Sequence, residues 1–553
     1  MRRLFVSEVM VESVEKHFDA AVVGLGAAGC WAAKVLTENG LSVVALDAGR
    51  LLSPADLPRD IKPLSKRVRP ASYWHKLLFG HRTTQARATS FHPQLEHLYV
   101  DDKQNPYSTR GGDTFLWIRG RQVGGRLHTW ARMALRLSDR DFKRAESDGY
   151  GTPWPISYSD LAEHYCRVET FHGLCGSHDG LPHLPDGCVS KQGVFTAQAA
   201  LFKSRIEARW PERRVILPRI LKDNIEPIHA PLEQALETNR LQLITEAPVA
   251  RLLLNSEGSR AIGVEFIDAN TGRRSEVNAD RVFLCASAIE SVRILLNSRC
   301  PRHPEGVGNN HGLLGRYILD HNFVVGAGTA GEEYQQLPWV PRPSTPLDLS
   351  TDLDFCIPDF SSSLKDREFV RGFGMQGTVS PTHWAIAAFG EMLPHPDNRV
   401  TLSGKMDAFG IPAVNISIRR HENDRKMIEA QKRELLLMAQ SAGLQLNMPL
   451  PAALRGMLWR AVGPEVGVLH LGLAIHECGG ARMGKTPEVS VVNANNQVWD
   501  VPNVYVTDGA CFPNTGCQNP TLTIMALTAR ACELAAADRS PAQSMLRTGS
   551  AAT

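Results

Sequence analysis

The sequence has little that would bind a metal ion, a membrane or a nucleic acid. Its eleven cysteines are scattered and form no CxxC pattern, which predicts neither a zinc site nor a disulfide framework and favours a reducing compartment. No window reaches the run of about 18 apolar residues that a transmembrane helix needs. Lys and Arg number 61 against 58 Asp and Glu, so no excess of charge points to nucleic acid. We therefore expect no metal site, no transmembrane segment and no nucleic acid partner.

An export signal is also missing from the beginning of the chain. The stretch MRRLFVSEVMVESVEKHFD has two arginines, but it lacks the apolar core and the small-residue cleavage site of a signal peptide. A cytoplasmic location is the resulting expectation.

The chain contains 553 residues, of which 43% are hydrophobic and 22% charged. This length and composition are typical of a globular protein with two or more domains.

The segment FDAAVVGLGAAGCWAAKVLTENGLSVVALD predicts a strand, a helix and a second strand around a glycine-rich turn. Gly24 permits the tight turn, Gly26 lets the backbone approach a pyrophosphate, and Gly29 allows close helix–strand contact. The helix N-terminus then faces the phosphates, and Asp47 can accept hydrogen bonds from a ribose. The candidate cofactor-binding residues are Gly24, Gly26, Ala28, Gly29 and Asp47. The alternative is a turn without a cofactor, and the motif does not separate FAD from NAD.

Two adjacent glycines, Gly124 and Gly125, follow the basic turn of RGRQVGGRLHTW. A pair of glycines lets the chain run flat against a planar ring or a diphosphate, because a Cβ atom would collide with it. This segment is therefore a second candidate for contact with a cofactor.

Several blocks of the sequence, which together span nearly the whole chain, resemble the glucose–methanol–choline (GMC) flavin oxidoreductases in the family's order. The blocks are residues 105–143, 148–165, 282–298, 312–321, 390–403 and the segment from His476 onward. Within the family, RGRQVGGR, GLPHLPDG and CQNPTLT are most similar to the bacterial branch that includes the catalytic subunits of glucoside 3-dehydrogenases. That branch oxidises a secondary hydroxyl of a sugar or glycoside.

The resemblance implies an α/β fold with a Rossmann-like FAD-binding domain and a substrate-binding domain built on a mostly antiparallel sheet with helices. We assign residues 1–150, 236–331 and 466–540 to the FAD-binding domain. Residues 151–235 and 332–465 are assigned to the substrate-binding or cap domain, and residues 541–553 to a flexible tail. In the cap domain, Trp339, Trp384 and Phe389 could stack on a sugar, although core packing is the preferred interpretation for each.

The resemblance also implies FAD as the cofactor, bound without a covalent link. Some family members attach FAD through a His four positions beyond the second glycine, and here that position is Thr129, with His128 one residue earlier. A shift of one residue in an extended chain sends the side chain to the opposite face. By the same resemblance, the backbone at Val249 contacts the adenine and the turn at Ala286 lies near the FAD pyrophosphate.

Near the C-terminus, the strand of VPNVYVTDGACFP ends at Asp508 and Gly509, which the resemblance implies as partners of the FAD ribityl and phosphate groups. Farther along, Pro520 is placed at the first helical position with Thr521 behind it. The partial positive charge of this helix N-terminus would then point at the flavin pyrimidine edge and favour the anionic reduced flavin.

Two polar residues, His476 and Asn519, are the candidate reacting pair. Oxidising an alcohol by hydride loss requires a base for the hydroxyl proton, for which imidazole is suited, and a group that fixes the oxygen. The two residues are 43 positions apart (519 − 476), which matches the family's spacing between its active-site residues. The resemblance implies His476 as the general base and Asn519 as the orienting residue. Asn519 is also placed to cap the helix that follows.

We therefore expect an FAD-dependent oxidoreductase that oxidises a CH–OH group of a sugar or glycoside to a carbonyl by hydride transfer to flavin N5. A dehydrogenase is expected, with a small subunit or a cytochrome as possible electron-accepting partner. An alternative is an oxidase that forms hydrogen peroxide on another alcohol, such as an aminoglycoside-type or secondary-metabolite precursor. A non-catalytic flavin-binding protein is disfavoured because binding would require neither His476 nor Asn519. Relatives can be exported with a signal-bearing partner, so the periplasm is the alternative location.

Overall fold

The computed structural model describes residues 17–58, 80–88, 90–222, 226–340, 353–446 and 466–538. The tail assigned to residues 541–553, and the end of the cap segment at 447–465, lie outside the described residues. Across the described ranges, no helix has the length and apolar character that crossing a membrane requires. In these same ranges, no group of three His, Cys, Asp or Glu side chains could hold a metal ion.

A six-stranded sheet, called here the parallel sheet, forms around the first glycine motif. Its strands, in spatial order, are Gln497–Val498, Val501–Val506, Val282–Leu284, Ala20–Val23, Val43–Leu46 and Leu241–Ile244, and the first pair alone is antiparallel. The central strands are short apolar runs whose side chains are all buried, which is typical of a parallel sheet covered on both faces. The predicted strand–helix–strand unit is confirmed, with its helix at Ala27–Glu38.

Helices cover this sheet and the second large sheet. Those of eight residues or more are Ala27–Glu38, Ser159–Phe171, Ala197–Arg209, Ala230–Glu237, Ala288–Asn297, Glu422–Ser441 and Thr521–Ala537. Shorter α-helices lie at Asp139–Phe142, Arg144–Asp148 and Glu332–Gln335. The last long helix packs against Ala27–Glu38 and Ser159–Phe171, and this contact places its N-terminal end beside the glycine motif.

The second large sheet, called here the antiparallel sheet, carries part of the candidate site. Its strands are, in spatial order, Phe355–Ile357, Phe373–Val379, His383–Glu391, His321–Ala330 and Leu444–Gln445, and Val466–Val468 also pairs with His321–Ala330. The helix Glu422–Ser441 packs on this sheet and closes a separate apolar core. A parallel sheet beside an antiparallel one confirms the predicted fold class, while the residue boundaries of the two domains stay a prediction.

Smaller sheets complete the architecture. A four-stranded sheet contains His17–Phe18, Arg274–Ala279, Ala261–Ile267 and Val249–Leu254. Two-stranded sheets pair Arg399–Met406 with Pro412–Ser417, and Cys175–Gly176 with Lys191–Gln192.

One cysteine pair departs from the sequence prediction. Cys166, in the helix Ser159–Phe171, and Cys188, in a following loop, form a disulfide, while the other nine cysteines take part in no disulfide. The prediction that the chain has no disulfide is therefore wrong, and the inference of a reducing compartment loses its basis. The two residues are 22 positions apart without a recognisable motif, so only the packing of the loop against the helix brings them together.

Candidate active site

A cavity of about 400 Å³ lies along the carboxyl edge of the parallel sheet. Its walls include the turns that follow Val23, Leu46, Leu284 and Val506, the last residues of four neighbouring strands. Clefts at this edge are where open α/β sheets bind their ligands. The antiparallel sheet supplies the opposite wall, so the cavity lies between the two large sheets.

The glycine motif forms an open turn at one end of the cavity. Gly24 has a φ of +88°, and a Cβ atom there would lie 2.7 Å from the Cα atom of Ala286. A Cβ atom on Gly29 would lie 1.8 Å from the carbonyl oxygen of Gly24, so this glycine is required for helix–strand contact. Gly26 lines the cavity, and a Cβ atom there would meet nothing within 4 Å. The turn thus leaves a space at Gly26 in front of the helix N-terminus, which suits a pyrophosphate.

Asp47 directly follows the second strand of this unit, Val43–Leu46, and lines the cavity. Its Oδ2 accepts a hydrogen bond from the backbone N–H of Leu25 at 2.8 Å, and its Oδ1 accepts one from Gly49 at 2.8 Å. Burial raises the pKa of Asp47, and the two backbone donors act against that rise. The carboxylate therefore holds the glycine turn in place and keeps lone pairs for the hydroxyls of a ribose.

The second glycine pair lies against the first motif. The backbone N–H of Gly124 donates to the carbonyl oxygen of Leu25 at 2.8 Å. Gly124 and Gly125 have φ values of +90° and +52°, and a Cβ atom on Gly124 would lie 2.5 Å from Nε2 of His128. Gly125 lines the cavity, whereas Gly124 supports it from behind.

His128 and Thr129 point in different directions. His128 is fully buried, its Nε2 donates to the carbonyl oxygen of Val123 at 2.9 Å, and its ring packs against His229. Thr129 lines the cavity and His128 does not. The two side chains therefore point in different directions as expected, but the expected reason is wrong, because residues Gly125–His128 form a 3₁₀ helix and not an extended chain.

Most of the other predicted cofactor residues meet at the same cavity. Asp508 accepts hydrogen bonds from Oγ of Ser291 at 2.5 Å and from the backbone N–H of Ala510 at 2.9 Å, and burial raises its pKa to about 6. The predicted residues that line the cavity are Gly24, Gly26, Ala28, Asp47, Gly125, Thr129, Val249, Ala286, Asp508, Gly509, Pro520 and Thr521. Gly29 and Gly124 lie behind the turns.

The start of the last helix differs from the prediction by one residue. The helix begins at Thr521, and Pro520 occupies the N-cap position rather than the first helical position. Asn519 therefore precedes the cap, and the prediction that it caps the helix is wrong. Its amide is instead engaged by two other side chains: Gln376 donates to Oδ1 at 2.6 Å, and Nδ2 donates to His476 at 3.2 Å.

His476 and Asn519 lie side by side at the cavity wall, although 43 residues separate them in the chain. The residue before the histidine, Ile475, has a φ of +60°. A β-branched residue in this region is rare and costs about 1–3 kcal/mol, and such strain clusters at functional sites. The strained backbone directs the imidazole of His476 toward Asn519.

Two polar residues that the sequence reasoning missed hold this pair. Gln376, in the strand Phe373–Val379, fixes the amide of Asn519. His321, the first residue of the strand His321–Ala330, has its Nδ1 2.9 Å from Nδ1 of His476. His321 ends the conspicuous block GLLGRYILDH and could have been identified from it, whereas Gln376 lies in no motif.

An apolar wall surrounds the pair. Phe389 lines the cavity, and its ring centroid lies 5.4 Å from that of His476 and 4.8 Å from that of Phe323. Trp384 is instead buried in the core of the antiparallel sheet, where its Nε1 donates to the carbonyl oxygen of Gln445. Trp339 does not line the cavity either. Phe389 is thus the one of the three predicted aromatic residues that is placed to contact a substrate.

Both imidazoles of the site are held neutral. Burial, together with the neighbouring His321 and Arg126, keeps the pKa of His476 well below its ordinary value of 6.5. Burial lowers the pKa of His321 to about 4. A neutral imidazole has one unprotonated nitrogen, so His476 can accept a proton at neutral pH.

One ion pair borders the cavity beside the base. Arg126 lies 2.7 Å from Glu477, and both residues line the cavity together with Ser287. The arginine lines the cavity with 29% of its side-chain surface exposed, while the Nη1 atom that faces Glu477 is buried. Arg126 was not among the predicted residues, and it adds a cation that can face a phosphate group.

Two sequence models of one family, both described as GMC oxidoreductase, match residues 216–321 and 394–528. Among characterised proteins, the chain is similar to a 2-methyl-1,2-propanediol dehydrogenase of Mycolicibacterium austroafricanum, with 27% identity over 93% of this chain and 94% of the relative. The fructose dehydrogenase large subunit of Gluconobacter japonicus is 23% identical over 93% and 97%, and the 6'''-hydroxyparomomycin C oxidase of Streptomyces lividus is 26% identical over 93% and 90%.

Solved structures share the fold at low sequence identity. A formate oxidase of Aspergillus oryzae RIB40 superposes with a TM-score of 0.64 at 17% identity, over 95% of this chain and 99% of that chain. A pyridoxine 4-oxidase from Mesorbium loti superposes with a TM-score of 0.60 at 17% identity, over 94% and 100%.

Proposed function

The chain belongs to the GMC oxidoreductase family, and from that membership we propose that it oxidises a CH–OH group of a sugar or glycoside to a carbonyl with His476 as the general base. As a family member it is an oxidoreductase acting on CH–OH groups, and it binds FAD. The observation that carries the proposed mechanism is the neutral, half-buried imidazole of His476 beside the fixed amide of Asn519.

The residues along the parallel sheet suit FAD. The open turn at Gly26 and the guanidinium of Arg126 are placed for a pyrophosphate, and Asp47 for the adenosine ribose. Asp508 and Gly509, at the end of the neighbouring strand, line the same cavity. When bound, FAD supplies the acceptor for the hydride that leaves the substrate carbon.

The reacting pair divides the remaining work. His476 accepts the hydroxyl proton at Nε2, and the Nδ2 group of Asn519 donates a hydrogen bond that holds the substrate oxygen. Gln376 keeps the Asn519 amide in this orientation by donating to its Oδ1. The pair therefore removes a proton while the oxygen stays at a fixed position.

A substrate with neighbouring hydroxyls suits this pocket. Gln376 is 5% exposed, and because its Nε2 is used on Asn519, its Oε1 remains an acceptor beside the reacting pair. No donor to that Oε1 occurs among the described residues. The relatives named for 2-methyl-1,2-propanediol, fructose and hydroxyparomomycin act on molecules with several hydroxyls. We propose that Oε1 of Gln376 accepts a hydrogen bond from a hydroxyl next to the one oxidised.

Replacing Gln376 with leucine should weaken the preference for a diol. The ratio of kcat/KM for propane-1,2-diol over propan-2-ol is expected to fall roughly tenfold, since one hydrogen bond of about 1 kcal/mol or slightly more is lost. The lost anchor of Asn519 lowers both rates, and the ratio cancels that shared effect. An unchanged ratio would show that Gln376 does not bind a second hydroxyl.

The purified protein tests the proposal directly. We expect a yellow protein whose flavin spectrum bleaches under anaerobic conditions with a sugar or glycoside from a screened panel. A colourless protein that takes up no FAD would end the flavoenzyme proposal, and bleaching by simple alcohols alone would end its sugar part.

The second candidate is an oxidase that forms hydrogen peroxide. It is favoured by the similarity to the hydroxyparomomycin C oxidase and to a paromamine 6'-oxidase of Streptomyces fradiae, which is 26% identical over 95% of this chain. Readmitting oxygen to the bleached protein separates the two candidates, because only an oxidase regains its colour rapidly with stoichiometric peroxide.

We also propose that FAD is bound without a covalent link. Thr129 occupies the position from which some family members attach the flavin, and the imidazole of His128 points away from the cavity. Acid precipitation of the purified protein should leave all of the flavin in the supernatant. Flavin that remains with the precipitate would contradict the proposal.

A partner subunit is proposed as electron acceptor or as export carrier. Two relatives are named as the large subunit of fructose dehydrogenase and as the flavoprotein of gluconate 2-dehydrogenase. The disulfide between Cys166 and Cys188 favours the periplasm over the cytoplasm, because disulfides persist in oxidising compartments. Fractionation of the native cells tests the location, and a protein confined to the cytoplasm would contradict it.

A further inference from the structure

A second histidine, His321, lies directly behind the proposed base. It is fully buried and does not line the cavity. Its Nε2 lies 2.9 Å from the carbonyl oxygen of Gly516, and its Nδ1 lies 2.9 Å from Nδ1 of His476. Three groups therefore form one line from a backbone carbonyl to the base.

The hydrogen-bond partners decide where the protons sit. A carbonyl oxygen only accepts, so Nε2 of His321 must carry a proton and donate it to Gly516. Because neutral imidazole has one N–H, Nδ1 of His321 is then unprotonated. Two nitrogens at 2.9 Å need one proton between them, so Nδ1 of His476 carries it and donates to His321.

We propose that His321 is a positioning residue that holds His476 in the tautomer protonated at Nδ1, so that its unprotonated Nε2 faces the substrate. This inference rests on the proposed role of His476 as general base. In the other tautomer, Nε2 would carry the proton and could not accept one from a hydroxyl. The orienting partner of a catalytic histidine is usually a carboxylate or a backbone carbonyl, and here a neutral imidazole takes that place.

The neutral partner has a physical consequence for the base. A carboxylate behind His476 would raise its proton affinity, whereas a buried neutral ring orients it without adding charge. Two of the nearby carboxylates are paired with arginines, Glu477 with Arg126 and Glu391 with Arg371. Asp320 and Asp424 instead accept hydrogen bonds from the backbone N–H of Gly472 and the amide of Asn322. The titratable and charged groups on the elements packed around the two rings include Arg126, Asp320, Arg371, Glu391, Asp424, Glu477, Cys478 and Cys517.

Two variants of His321 separate its two hydrogen bonds. Asparagine places an acceptor where Nδ1 stood and loses the contact with Gly516. Glutamine reaches toward Gly516 and leaves Nδ1 of His476 without an acceptor. In His321→Asn, we expect the rate of flavin reduction by substrate to stay within about tenfold of the rate in the unchanged protein. In His321→Gln, we expect this rate to fall by about 10²-fold or more, as it does for other histidine bases held in the wrong tautomer.

The experiment uses the FAD-loaded protein, with methyl α-D-glucopyranoside and 2-methylpropane-1,2-diol as probes. Stopped-flow bleaching is recorded across pH, together with the thermal midpoint and the flavin content of each variant. A second readout needs no substrate: diethyl pyrocarbonate acylates an unprotonated imidazole nitrogen, and its reaction with His476 is followed by mass spectrometry. The reagent should modify His476 more slowly in His321→Gln than in His321→Asn.

Each variant can overturn the inference alone, even if the other fails to bind FAD. The inference is contradicted if His321→Gln keeps full activity and an unchanged pH profile. It is also contradicted if the activity of His321→Asn is as low as that of a protein without the base, His476→Ala. Equal acylation of His476 in the two variants does the same. If neither probe bleaches the unchanged protein, the proposed substrate class fails, while the acylation result still decides the role of His321.

Discussion

Replacing His476 with alanine should leave FAD bound and slow the reduction of the flavin by substrate about 10²–10⁴-fold, the usual contribution of a general base. The imidazole lies at the cavity wall, 3.2 Å from the amide of Asn519, and it is neutral at neutral pH because its pKa is lowered. Its removal takes away the proton acceptor and leaves the cofactor turns at Gly26 and Asp47 untouched. Anaerobic stopped-flow measurements of bleaching give the rate, and the flavin spectrum gives the cofactor content.

The pH profile of the same reaction identifies the base. Because burial holds the pKa of His476 below 6.5, the unprotonated form dominates at neutral pH. The rate of bleaching should therefore be level above neutrality and fall as the pH drops through this lowered pKa, with a midpoint below 6.5. The residual rate of flavin reduction in His476→Ala should not show this fall at low pH.

A matched control is available six residues earlier in the chain. His470 is exposed and does not line the cavity, so His470→Ala makes the same chemical change outside the site. This control should keep the rate and the profile of the unchanged protein. Turnover in His476→Ala equal to that of the control would exclude the histidine as general base.

Alanine at two glycines of the first motif should have two different effects on folding and on FAD. A methyl group on Gly26 meets no protein atom within 4 Å, so Gly26→Ala should fold normally. It places the methyl in the space proposed for the pyrophosphate, and such overpacking costs about 1–3 kcal/mol. FAD should therefore bind roughly 10- to 100-fold more weakly.

Gly29→Ala is the counterpart that acts on the protein itself. Its Cβ atom would lie 1.8 Å from the backbone oxygen of Gly24, which no side-chain rotation relieves. The helix Ala27–Glu38 must shift from the sheet, and the thermal midpoint of the apoprotein should fall along with FAD binding. Titration with FAD and thermal unfolding of both apoproteins distinguish the cases. Normal FAD affinity in Gly26→Ala would show that the cofactor does not occupy this turn.

The sequence predicted those structural features that are determined by residues close together in the chain. The strand–helix–strand unit and its glycines follow from local steric rules, so Gly24, Gly29 and Asp47 lie as expected. The pair His476 and Asn519 was located through family spacing, and the structure brings the two side chains together. Their catalytic roles stay a prediction.

Contacts between distant segments could not be read in the same way. Gln376 lies in a strand without a motif, and its role depends on how that strand faces a loop 143 residues later. The bridge between Cys166 and Cys188 likewise depends on packing. The misplaced cap at Asn519 has a related cause, because local propensity favours capping while the tertiary partners Gln376 and His476 take the amide.

The way in which the two large sheets share the site bears on how this enzyme could be engineered. The proposed base follows the strand Val466–Val468, which pairs with the antiparallel sheet, and its amide partner follows Val501–Val506 of the parallel sheet. Their supports, His321 and Gln376, both belong to the antiparallel sheet. A chimera that borrows the antiparallel sheet of a relative to gain a new substrate would also exchange the support of the base. Altered specificity and impaired proton transfer would then arise together, unless His321 and Gln376 are restored in the graft.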